Sequence, residues 1–248
     1  MKHQVGLVTY ESTMHSWVLD LPGCVTGARD AGELDGKLPL AIIEHEAWLR
    51  KHGEAFEPVA GWEIVETVDG LSLAATGGEF CFQAERAPLA CEDLERGVAR
   101  MEYARSDLMA AIEALPDAVL DWAPPASAYA SFDAWAPGVR TIREIVTHDL
   151  QLEVYYRDGL RDGLAKGILE RVEDPATERQ RTIQLLRSLD DRARSRVYRP
   201  VRPSRDAAED WTARKVLRRI ISHERMHTAE ISQRLAWLLL GAPVVRAE

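Results

Sequence analysis

His223-Glu224-Arg225-Met226-His227 lies within the stretch from Trp211 to Leu240, where Leu217, Ile220, Ile231, Leu235 and Leu238 recur at a helical period. A helix turns about 100° per residue, so positions four apart differ by about 40° and sit on adjacent turns of one face. His223 and His227 therefore form a two-imidazole platform for one metal ion, and a third histidine would complete a known catalytic zinc set. Glu224 projects near the middle of the apolar stripe and His227 at its edge. A carboxylate buried there is costly unless it is protonated, paired with a cation, or close to a metal. The alternative is a solvated helical ion pair with Lys215, Arg218 or Arg225.

The third ligand is sought upstream. Thr141 and Glu144 form a capping box that starts a helix whose stripe is Ile142, Ile145, Val146, Leu152 and Tyr156. His148 falls at the same edge of this stripe as His223 does on its own helix, and Asp149 takes the place of Glu224. Two helices each presenting a His-carboxylate pair argue for a shared site, with His148 as third ligand. His3, His15, His45 and His52 show no such geometry and read as packing residues. The string HExxH also matches a short metalloprotease motif, but Glu230 and Gln233 occupy the offsets where its extended form needs Gly and His.

Two further helices complete this half. One carries Leu94, Val98, Met101, Leu108, Ile112 and Leu115 and stops at Pro116. The other opens at Asp174-Pro175, an N-cap followed by proline, and runs through Ile183, Leu186 and Leu189. Four helices with polar outer faces predict an all-α four-helix bundle over residues 90–248, with the fourth helix ending near Gly241-Ala242-Pro243. The loop Ala123–Gly138, with Tyr129, Phe132 and Trp135 after Trp122, reads as packing over the bundle end or lining a pocket mouth.

Residues 1–87 read as an α+β domain built on an antiparallel sheet with one main helix. Strand-like alternation covers His3–Thr13 and Ser16–Leu21. The helix follows, with Leu34, Leu38, Ile42 and Leu49 on its stripe and Gly53 at its end. Ile64–Val68, Leu71–Thr76 and Phe80–Gln83 read as short strands, the first two joined by a hairpin at Asp69-Gly70. The stretch Trp17-Val18-Leu19-Asp20-Leu21-Pro22-Gly23-Cys24-Val25-Thr26-Gly27-Ala28, followed by an amphipathic helix, resembles the HicB-like fold over about the first 60 residues. The DNA-binding segment usual in that family is missing.

Bulk properties narrow the function. Of 248 residues, 46% are hydrophobic and 29% charged, values ordinary for a globular protein. Cys24, Cys81 and Cys91 form no CxxC pair, which argues against a disulfide framework or a thiolate zinc site. Residues 1–90 hold 6 Lys+Arg against 14 Asp+Glu, and the remainder 25 against 26. So acidic a first part is a poor nucleic-acid partner. With no run of about 18 apolar residues and no signal-peptide core, the chain reads as cytoplasmic, with no membrane partner.

Residues 90–248 resemble the DinB-like/YfiT-like metalloenzyme superfamily. The matching elements are Thr141-Ile142-Arg143-Glu144-Ile145-Val146-Thr147-His148 and His223-Glu224-Arg225-Met226-His227-Thr228-Ala229-Glu230-Ile231. The resemblance implies a divalent metal, zinc first with nickel or iron as alternatives, held by His148, His223 and His227. It also implies a transferase or isomerase that uses a low-molecular-weight thiol against a small electrophilic substrate. Glu224 and Asp149 would serve as base or as orienting groups, and Tyr155 would donate to substrate. Glu230 stands where members commonly have glutamine. The competing expectation is a non-catalytic small-molecule or protein-binding module with a structural metal or none, the first domain supplying an interaction surface. Separately, the short join Ala87-Pro88-Leu89 predicts that the two domains pack rigidly, the first walling the metal site or forming a homodimer interface.

Overall fold

The computed structural model describes residues 2–10, 13–55, 59, 61–71, 80–123, 141–161, 174–201 and 209–240. The first part contains β1 (His3–Tyr10), β2 (Met14–Val18), β3 (Val25–Ala28), α1 (Ala31–Lys51) and β4 (Trp62–Leu71). The sheet order is β3-β2-β1-β4. β1 pairs antiparallel with β2, placing Val5 opposite Val18, and β2 pairs antiparallel with β3, placing Trp17 opposite Val25. Alternation along β1 sorts side chains by face. Val5 and Leu7 pack with Leu34, Leu38, Ile42 and Leu49 of α1, while Val8 and Tyr10 pack with Trp17 and Phe82 on the other face. Asp30 caps α1 by accepting from the Glu33 amide, and Gly53, at φ +85°, follows its end.

Three expectations for this part need correction. The sheet is mixed, because β4 runs parallel to β1 with Val5 opposite Ile64. The cause is α1, which carries the chain from β3 across to the other edge, and parallel strands require a crossover of that length. No hairpin forms at Asp69-Gly70. β4 continues through both residues to a Tyr10–Leu71 pairing, and register shifts absorb the irregularity, so long-range pairing overrides a local turn signal. Phe80–Gln83 is not a strand either: Phe82 is buried against the sheet, and Gln83–Arg86 form a short 3-10 turn. The rest of the expected Leu71–Thr76 strand lies outside the described residues.

The second part contains α2 (Cys91–Ile112), α3 (Asp117–Leu120), α4 (Ile142–Arg157), α5 (Pro175–Ser188), α6 (Asp191–Arg194) and α7 (Ala213–Leu240). The four long helices are those expected from the sequence; α3 and α6 are single turns. Contacts join α2 to α7, α4 to α7, α4 to α5 and α2 to α5. The expected caps form: Thr141 and Glu144 bond reciprocally, and Asp174 accepts from the Ala176 and Thr177 amides. The end of α7 beyond Leu240 lies outside the described residues. No helix among the described residues is long and apolar enough to cross a membrane.

The two parts meet along α1 and α7. Asp107 of α2 accepts from Trp48 Nε1 (2.8 Å) and Lys51 Nζ (2.9 Å). Arg225 of α7 lies 4.4 Å from the centre of the Trp48 ring, donates to His45 Nδ1, and reaches the Gly23 carbonyl at 3.4 Å. Gly23, at φ +98°, has no room for a Cβ against Ile221, so the Leu21–Cys24 turn seats directly on the helix that carries HERMH.

Candidate metal centre

His148 on α4 and His223 and His227 on α7 converge. One ring nitrogen from each lies within 4.8 Å of the others. Ring centroids are 4.4 Å apart for His223–His227, 5.2 Å for His148–His223 and 5.3 Å for His148–His227. The α7 pair is buried and His148 is half-buried, so the cluster opens at its His148 corner.

Each α7 imidazole is held through Nδ1. Asp149 Oδ1 lies 2.9 Å from His223 Nδ1, and Glu230 Oε2 lies 2.9 Å from His227 Nδ1. Carboxylates at Nδ1 fix ring orientation, the usual support of a metal-bound histidine. The fit to a divalent metal shows at His227, whose Nε2 is buried with no hydrogen-bond partner. Three imidazoles without a thiolate suit zinc, nickel or iron.

Behind the triad lies a buried ion cluster. Arg105 of α2 bonds Glu224 and, at 2.7 Å, Glu153; Arg179 of α5 bonds Glu153 at 3.0 Å and Glu224 at 2.7 Å. Asp149 Oδ2 lies 3.6 Å from Arg105 Nη2. Three carboxylates face two guanidiniums, so full ionisation would leave an uncompensated negative charge. Burial raises Glu224 to about 7 against the opposing pull of Arg179, and burial likewise raises Asp149 against His227 and Arg105. Glu153 behaves differently: burial pushes it up, but Arg179 and Arg105 together outweigh that and leave it below the carboxylate range. The space lined by Asp149, Glu153, Tyr156, His223 and Glu224 has no room for a water molecule.

The structure thus brings together His148, His223, His227, Asp149 and Glu224. Tyr155 is placed elsewhere, with its hydroxyl 3.5 Å from Glu209 and its ring against Trp211, while Tyr156 packs on His223 at 5.8 Å. Sequence reasoning missed Arg105, Arg179 and Glu153. A signal existed: Arg105 fills the gap between Met101 and Leu108 in the α2 stripe, Glu153 lies four residues after Asp149, and Arg179 lies four before Ile183. Charged residues on the inner stripes of three helices mark a common buried cluster. The remaining histidines have packing partners, His3 with Asp20, His15 with Tyr10, His45 with Arg225, and His52 with Asp107. Trp122 packs on Trp237; Tyr129, Phe132 and Trp135 lie outside the described residues.

No curated protein matches the chain. Among solved structures, one similar to it is YfiT from Bacillus subtilis, described as a probable metal-dependent hydrolase with an unusual four-helix bundle topology. That likeness is 19% in sequence identity with a TM-score of 0.44, over 69% of this chain and 99% of YfiT. The sequence profile of the DinB superfamily matches residues 100–231, a span that takes in all three histidines. By that match over more than half its length, the chain belongs to the DinB superfamily.

Proposed function

We propose that the chain is a divalent-metal-dependent enzyme in which a HicB-like unit, residues 1–87, backs a helical unit, residues 90–248, that carries the ion. Zinc is the first candidate. In this reading it acts on a small electrophilic substrate as a transferase or isomerase using a low-molecular-weight thiol. The convergence of His148, His223 and His227 carries the proposal.

The chain's own residues divide the work. Asp149 and Glu230 hold the two α7 rings by Nδ1. Held by His148, His223 and His227, a divalent ion would supply the Lewis acidity that lowers the pKa of a thiol or water. Glu224, raised to about 7 by burial, can hold or release a proton beside the site. Arg105 and Arg179 fix its orientation. Substrate approaches at the half-buried His148, since the opposite side is packed. The donor role expected of Tyr155 has no geometric support.

The packed space beside Asp149 and Glu224 favours a second reading, a non-catalytic binding module with a structural metal. A crystal structure of the zinc-loaded protein with anomalous scattering separates the two. Zinc on three histidines with solvent in the remaining position supports the enzyme; a fourth protein ligand closing the shell supports the structural metal. The thiol step is tested by giving the zinc-loaded protein glutathione or cysteine with a small electrophile. Thiol loss no faster than with the metal-stripped protein would remove it.

A further inference from the structure

Between the sheet and the helices lies a cleft of about 560 Å³, within the size range of small-molecule sites. The metal triad does not line it. Its helical wall carries two arginine pairs at four-residue spacing, Arg96 and Arg100 on α2 and Arg214 and Arg218 on α7. That spacing places each pair on one helix face. α2 and α7 approach closely where Gly97 receives Leu217: a Cβ on Gly97 would lie 2.6 Å from Leu217 Cδ1. Arg96 and Arg100 lie beside Gly97, and Arg214 and Arg218 beside Leu217, so all four arginines border one space, with the Arg218 guanidinium also stacked 4.4 Å from the centre of the Trp17 ring. From the sheet side come Leu19, Leu21 and Pro22 beside His3 and Asp20, and Glu54, Glu85 and Asp93, which pair with the arginines, line the same space.

Arg96 gives Nη1 to Glu92 and Nη2 to Asp93, whereas the other three arginines are held in place but not used up. Arg100 spends Nε and Nη2 on Glu54, at 3.0 and 2.7 Å. Arg218 spends the same two nitrogens on Glu85 and the Phe80 carbonyl. Arg214 spends them on the Ala87 and Pro88 carbonyls and Asp93. In each case Nη1 bonds no acceptor among the described residues. A guanidinium fixed along one edge with a spare terminal N–H is a preorganised donor for an oxyanion.

We propose that this cleft binds a small organic anion, a molecule bearing carboxylate or phosphate groups on a compact apolar body. The test is calorimetric titration of the zinc-loaded full chain at low ionic strength, with succinate and inorganic phosphate as separate probes. Neither probe strips the metal as a strong chelator would. Saturable binding of one ion per chain is expected for at least one probe, and which one binds identifies the preferred oxyanion. Arg214→Gln and Arg96→Gln should each weaken binding about tenfold or more, with the fold checked by circular dichroism. Arg96, half-exposed, is the variant that keeps the test valid should Arg214→Gln disturb the linker. His223→Ala should leave the binding intact. Absence of binding for both probes at about 10 mM, affinity unchanged in both arginine variants, or loss of binding in His223→Ala would overturn the proposal.

Discussion

Asp149 and Glu230 set the triad's geometry although neither is part of it. Each fixes one imidazole through Nδ1, and loss of such a partner commonly costs about 10–100-fold in metal affinity. Asp149→Asn should therefore weaken zinc binding by about that factor, measured by competition with a chromophoric chelator, while all three histidines remain. An affinity equal to wild type would show that Asp149 serves only the ion cluster. At this scale the sequence was legible wherever two helices had to agree: His148 and His223 occupy matching edges, and Asp149 and Glu224 matching places beside them. Tyr155 shows the limit. Adjacent tyrosines on a wholly buried stretch of α4 differ by about 100°; both pack on Trp211, and Tyr156 is the one whose ring meets His223.

Among elements, the helices were readable from their stripes and caps because periodicity and capping are local. β4 was not, since its partner lies some 60 residues away and its direction depends on how α1 crosses the sheet. β3 was read only as part of a motif, because Val25–Ala28 is too short for alternation to register. The seating of Phe82 on the sheet follows from Gly6 on β1, where a Cβ would lie 2.6 Å from Phe82 Cδ1. Gly6→Ala should destabilise the protein by about 1–3 kcal/mol through overpacking, read from the urea midpoint with the slope unchanged. A neutral result would mean that Phe82 can move off the strand at no cost.

For the whole molecule, the acidic first part and the charge-balanced remainder join through buried arginines and Asp107, so residues far from the metal still contribute to one fold. His15 exemplifies this. Burial, helped by the charge of Arg219, lowers it to about 4 from 6.5, so the folded state holds it neutral. The unfolded chain binds more protons between those values, so its stabilising effect is complete above about pH 6.5 and is lost as pH falls toward 4. Between pH 7 and pH 4 the wild type should lose about 3 kcal/mol more than His15→Gln, measured by denaturant unfolding at both pH values. Parallel losses would contradict the assignment. The functional reading rests on the metal, and the most direct measurement is metal content. After loading with zinc and exhaustive dialysis, the wild type should retain one ion per chain and His223→Ala close to none; full occupancy in His223→Ala would contradict the account.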